Sequence, residues 1–210
     1  MDRLDVNPDT YRRWYRIGQL IEGKNLKILD VGGSPDNEQL KLFIPHDITV
    51  ANPAYNNIDG TDLPFKDAEF DVTISIDTLE HVPKEKRIRF IQELVRAAKT
   101  KTILACPFDE PFVAEMEKTI YEITNHPILA EHISFGLPDL KETLAVIDSL
   151  GCTYSVYDND SLLSWASWIL LHQTNWGSFD MSKFNRLLNQ AYDPRTDSGP
   201  SYRKIVEIIK

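Results

Sequence analysis

Short apolar runs alternating with amphipathic helical stretches predict a doubly wound α/β fold with a mainly parallel sheet. Two further observations support it: the first apolar run closes on paired glycines, and the run at 70–77 is β-branched almost throughout. At 210 residues the chain is expected to form one domain, 1–210, since domains commonly hold ~100–200 residues.

In chain order, residues 8–21 set Tyr11, Trp14, Tyr15 and Ile17 at helical spacing behind a Pro8–Asp9 start signal. LKILDVGG (26–33) reads as a buried parallel strand, DITVAN (47–52) as a second and FDVTISID (70–77) as a third. An amphipathic helix is expected over 83–99, with Ile88, Ile91, Leu94, Val95 and Ala98 on one face. KTILACPF (101–108) is the next strand, stopped by Pro107. Helical spacing returns at 111–124, and the helix at 137–151 ends on Gly151. CTYSVYD (152–158) is strand-like, 161–172 and 181–192 look helical, and SYRKIVEIIK suits a final strand. Segments 109–138 and 159–195 are candidate insertions, helical lids over a ligand cleft.

The formal charge of -9 argues against a nucleic-acid partner, because phosphate binding needs a basic surface. The opening residues lack the apolar core of a signal peptide, and no stretch reaches the ~20 apolar residues needed to span a bilayer. A cytoplasmic protein without a membrane span is therefore expected. Cys106 and Cys152 have no metal-ligand spacing and read as buried free thiols.

The first strand leads into ILDVGGSPDN (28–37), where a glycine turn lets backbone approach a ligand and a following helix N-terminus would favour an anionic group. Asp30, at the strand end, is placed to accept from an ammonium. Taken alone, this pattern equally describes a plain strand-to-helix turn.

The segment IDGTDLPFKDAEFDVTISIDTLEHVP (58–83) is more specific. Asp59, Leu63, Pro64 and Phe65, then Phe70, Asp71 and Val72, then Leu79, Glu80, His81 and Val82 match three successive motifs. With the glycine turn upstream, the segment resembles class I S-adenosylmethionine-dependent methyltransferases of the type 11-like group. That resemblance implies a Rossmann-like sheet of seven strands with an antiparallel last strand, and methyl transfer from S-adenosylmethionine. Gly32, Gly33 and Ser34 would wrap the methionine end of the cofactor. Asp59 and Gly60 would hold the adenine, and Ile76 and Asp77 would flank the sulfonium. Three positions depart from the family pattern. Ser34 and Asp36 stand where the second and third glycines are usual, and Asn52 stands where an acid usually grips the ribose, leaving one carbonyl acceptor without charge. The link from Asn52 to Asp59 is also too short for a crossover helix. The later segment 126–151 and the ending PSYRKIVEIIK are similar to a subset associated with glycan assembly, which implies a small-molecule or glycan-like acceptor.

None of the five histidines pairs at the i, i+4 spacing of a helical zinc site, so the spacing carries no metal signal. His81 reads either as a structural cap with Glu80 or as a base taking the acceptor's proton, and His132, in the first lid, as a second candidate base. Trp165, Trp168 and Ile169 form a helix face suited to core packing or to a lid over a sugar ring. Two rival functions remain at this level. One is a cofactor-binding protein of the same fold without turnover. The other is a nicotinamide-dependent oxidoreductase, disfavoured by the lack of a Gly-x-Gly-x-x-Gly turn.

Overall fold

The computed structural model describes residues 2–173, 181–193 and 199–210, without the side chains of 172 and 173. The expected insertion at 159–195 thus lies partly outside the described residues. Six strands form one sheet: β1 (Lys27–Val31), β2 (Asp47–Ala51), β3 (Phe70–Ile76), β4 (Ala98–Pro107), β5 (Thr153–Ser161) and β6 (Ser201–Ile209). Their order is β2-β1-β3-β4-β6-β5. The first four run parallel, while β6 lies antiparallel to both β4 and β5. This is the expected Rossmann-like sheet with its antiparallel last strand, with six strands among the described residues where seven are expected. The physical reason lies after β2, where one helical turn, α2 (Pro53–Asn56), precedes a loop that returns directly to Phe70. That link is too short for a further strand and its crossover.

Side-chain alternation along the strands divides the core between two faces. On one, Trp14, Ile17 and Ile21 from α1 (Pro8–Leu20) and its end cover Ile28, Val72, Ile74, Ile103 and Ile205. On the other, Phe90, Ile91 and Leu94 of α3 (Arg87–Ala97) and Ile147 of α6 (Leu140–Ser149) cover Leu29, Leu104, Val206 and Ile208. Asn7 caps α1 by accepting from the Asp9 amide, and Asp139 caps α6 by accepting from Glu142. The helix expected directly after the glycine turn is absent: between β1 and β2 the described chain holds only a 3₁₀ turn at Leu40–Leu42. A loop with Phe43 and Ile44 packed under α1 fills that side instead.

A third cluster joins the helices above the strand ends: α4 (Val113–Thr124), α5 (Pro127–Phe135) and α7 (Leu162–Gln173). Val113, Ile120, Leu129, Leu162 and Trp165 close around Tyr202, on whose ring Trp165 stacks at 3.7 Å. The Trp165 face is therefore core packing. Sequence reading missed α5 as a helix, because PILAEHISF has little amphipathic contrast. The last helix is α8 (Ser182–Ala191). Among the described residues no helix is long and apolar enough to cross a membrane.

At the C-terminal edge of the parallel strands the elements are joined by charge. Arg203 of β6, 2% exposed, donates through Nε (2.6 Å) and Nη2 (2.9 Å) to both carboxylate oxygens of Asp77, and Nη1 reaches Asp9 of α1 at 3.3 Å. Arg13 also pairs with Asp77, and Arg12 with the buried Asp160. Burial pushes the Asp9 carboxyl up, but the neighbouring Arg203 and Arg13 outweigh it and leave the group below its ordinary value. Removing one partner leaves the others buried and uncompensated. Arg203→Ala should therefore destabilise the fold by about 3–5 kcal/mol in urea titration, and a loss below 1 kcal/mol would show that the network is not structural.

Candidate functional site

The candidate site is a cleft of about 350 Å³ at the C-terminal ends of β1, β2 and β3. Val31, Gly32, Asn52, Asp59, Gly60, Asp77, Thr78, His81 and Phe90 are among its walls. In open α/β sheets this edge is where ligands bind. Gly32, Asn52, Asp59, Gly60, Asp77 and His81, all expected from sequence, meet there; Asp30, Gly33, Ser34, Ile76 and His132 lie behind or beside it.

The floor is the turn after β1. Gly32 has a φ of +94°, and a Cβ there would sit 2.1 Å from Thr78 Oγ1, so only glycine fits. Gly33 is required differently, since a Cβ would strike the Asp30 carboxylate at 2.0 Å. Asp30 is 3% exposed, and burial pushes its carboxyl up to about 7. It buttresses the turn from behind instead of facing the cleft. Ser34 has no positive φ, so serine meets no backbone penalty there, and its carbonyl accepts from the Asn37 amide.

Asn52 departs most from expectation. Its Nδ2 donates to the carbonyls of Gly32 (2.8 Å) and Gly33 (3.0 Å), and its Oδ1 accepts from the Ala54 amide at the start of α2. Both amide protons are thus spent on the glycine turn. A carboxylate could not make these bonds. Where the sequence suggests a weakened ribose contact, the structure shows a clamp on the glycine turn with one lone pair left over.

The opposite wall is the loop carrying Asp59 and Gly60. Its far side is anchored by α3: buried Glu93 accepts from the Leu63 amide (3.0 Å), and Arg96 donates to the carbonyls of Leu63 (3.0 Å) and Phe65 (2.7 Å). Phe65 packs edge-on against Phe70 at 4.9 Å. The Leu-Pro-Phe motif is therefore a packing device that sets the Asp59 loop. Asp59 Oδ1 accepts from the amide and hydroxyl of Thr61, both at 2.8 Å, which hold its carboxyl below the usual value and keep it ionised. A Cβ on Gly60 would lie 2.4 Å from the Phe90 ring, so bare backbone lies against that aromatic wall.

Asp77 has a φ of +47° and turns the chain from β3 into the 3₁₀ turn Leu79–His81. Its carboxylate is neutralised by Arg203 and Arg13, so it is not a free counter-charge for a sulfonium. The following turn and α5 bring together residues about fifty positions apart. His81 Nδ1 lies 2.9 Å from Glu131 Oε2, and His132 Nδ1 lies 3.0 Å from Glu117 Oε1, which also accepts from Tyr202. The two Nε2 atoms face each other at 3.3 Å. Burial, then the neighbouring His132, hold the His81 imidazole below its ordinary pKa, against the pull of Glu131. Glu80 is 1% exposed, and burial pushes it up to about 8. Glu117 and Glu131 were not identified from sequence; only the fold pairs them with histidines. Cys106 and Cys152 are buried free thiols.

A sequence model of the methyltransferase-domain family matches residues 32–106, the stretch holding the glycine turn, the Asp59 loop and the Leu-Glu-His-Val turn. No curated protein matches the chain in sequence. Solved structures with the same fold include an S-adenosylmethionine-dependent methyltransferase from Thermotoga maritima, a candidate histamine N-methyltransferase. It has a TM-score of 0.58 at 12% identity, with 95% of this chain and 88% of that one covered. Phosphoethanolamine N-methyltransferase 2 from Haemonchus contortus, in complex with S-adenosylmethionine, aligns with a TM-score of 0.53 at 11% identity, covering 92% of this chain and 51% of that one. A methyltransferase candidate from Bacillus halodurans gives 0.51 at 13% identity, with 93% and 96% covered.

The clamp is testable. Asn52→Asp removes both donors and sets a carboxylate against two carbonyls, so affinity for S-adenosylhomocysteine should fall by about tenfold, as expected for ~1–2 kcal/mol of lost hydrogen bonding. Tighter binding in calorimetry would return Asn52 to the ribose.

Proposed function

We propose that the chain is a class I S-adenosylmethionine-dependent methyltransferase, whose cleft binds S-adenosylmethionine and which transfers its methyl group to a small polar acceptor; the methyltransferase-domain match over residues 32–106 supports this reading. The observation that carries this reading is the convergence of Gly32 and Asp59 on one cleft from segments nearly thirty residues apart.

The residues present fit the cofactor. Asp59 keeps one carboxylate oxygen outside its Thr61 bonds, which suits an exocyclic amine, and the Gly60 backbone beside the Phe90 ring suits a planar base. The Gly32–Gly33 turn, fixed by Asn52, would take the methionine end, with Asp30 and Ser34 shaping it and Ile76 and Asp77 behind the reacting centre. When bound, the cofactor supplies an electrophilic methyl group. The chain's part is to hold acceptor and cofactor in line, an arrangement worth ~7–11 kcal/mol of barrier. The imidazole pair His81 and His132, held by Glu131 and Glu117, would take the proton that an acceptor hydroxyl or amine gives up on methylation.

A small acceptor is supported by two proteins of this fold named for histamine and phosphoethanolamine. A glycan-like acceptor is the version favoured by the resemblance of segment 126–151. Calorimetry with S-adenosylmethionine and S-adenosylhomocysteine, followed by methyl release over a panel of amines, phosphoamines and sugars, separates an enzyme from a binding protein. Saturable binding with turnover on one acceptor class is expected; binding without turnover on any would favour the non-catalytic rival. Asp59→Ala should weaken cofactor affinity by ~1–3 kcal/mol, and unchanged affinity would remove Asp59 from the adenine site.

A further inference from the structure

We propose that Glu80, His81 and His132 bind a divalent transition-metal ion of the zinc type at the acceptor end of the cleft, held by the two imidazole Nε2 atoms and the buried Glu80 carboxylate. Candidate ligand atoms of these three residues lie within 4.8 Å of one another.

The tautomers carry the first part of the argument. Carboxylates only accept, so Glu131 and Glu117 assign the proton of each ring to Nδ1, at 2.9 and 3.0 Å. Both Nε2 atoms then present lone pairs to each other across 3.3 Å, an unfavourable contact unless a cation lies between them. Histidines that ligate metals typically donate their other ring nitrogen to a carboxylate in this way. The spacing also suits a tetrahedral site, in which bonds of ~2.0–2.1 Å put neighbouring ligand atoms about 3.4 Å apart.

The third ligand comes independently. Glu80 is 1% exposed, and its Oε2 has no hydrogen-bond partner, which is costly for a buried polar atom. The 4.8 Å limit closes to tetrahedral spacing through a movement of at most about 1.4 Å. Two imidazoles and one carboxylate favour zinc-like ions over magnesium or calcium, which prefer all-oxygen shells. Three protein ligands leave one position open, and His81 places it on the cleft. There the ion would take an acceptor hydroxyl and lower its pKa, the proton leaving to solvent. In that state the rings carry the ion instead of the proton.

The inference extends the methyl-transfer reading at the same cleft, yet metal uptake can be read without turnover. The full chain, stripped with chelator and dialysed, would be titrated calorimetrically with zinc chloride, magnesium chloride and, separately, S-adenosylhomocysteine. One zinc per chain at micromolar or tighter affinity is expected, without magnesium uptake. Cobalt should give the visible absorption of a tetrahedral site. Glu80→Gln, which replaces a buried acid lacking a partner, and His132→Gln should each weaken zinc by at least about tenfold. Glu131→Gln, at a half-exposed residue, should weaken it by about tenfold through the His81 ring, with folding checked by circular dichroism. No zinc uptake by folded protein, or uptake unaltered in all three variants, would overturn the proposal. Zinc uptake without S-adenosylhomocysteine binding would strike only the cofactor reading.

Discussion

The rest of the site depends on the bidentate contact between Arg203 and Asp77. It joins the start of the last strand to the end of the third, and through Asp9 and Arg13 it ties α1 to both. A buried guanidinium costs several kcal/mol to desolvate, a cost offset only when carboxylates take most of its donors. Here they do. The result holds Asp77 at positive φ, which sets where the Leu79–His81 turn begins and which way His81 points. A charge pair across the sheet thus fixes the His81 end of the cleft.

The glycine-turn end of the cleft is held by amides in place of charges. A glycine turn without a regular helix after it has little to keep it rigid, and Asn52 meets that need with its two donated bonds. Asp30 supports the same turn from beneath, at positions where Gly33 leaves no room for a side chain. The missing seventh strand and the missing first crossover helix belong to one economy of chain. Glu93 and Arg96 pin the Asp59 loop from behind.

The histidine pair joins two separate parts of the fold. His81 arrives on a turn fixed by the Arg203 network, and His132 arrives on α5, part of the helical cluster built around Tyr202. Tyr202 and Arg203 are consecutive, so one stretch of β6 sets both the strand-end charges and the helix that covers them. The antiparallel strand is a structural keystone as well as a sheet member.

What the sequence by itself determined is the alternation of strands and helices, the parallel core, and the glycine turn and Asp59 loop that line one cleft. These rest on periodicity and on short motifs, such as ILDVGG and DGTDLPF, whose chemistry is local. Even there, the departures at Ser34 and Asn52 were visible only as departures. The tertiary structure decided what replaced them, since the carbonyls that Asn52 clamps lie some twenty residues away along the chain. It also decided the partners of Asp77, the pairing of His81 with His132, and the roles of Glu117 and Glu131. A hydrogen bond or ion pair between residues fifty or more positions apart leaves no periodic trace, because burial and orientation arise only once the sheet has closed.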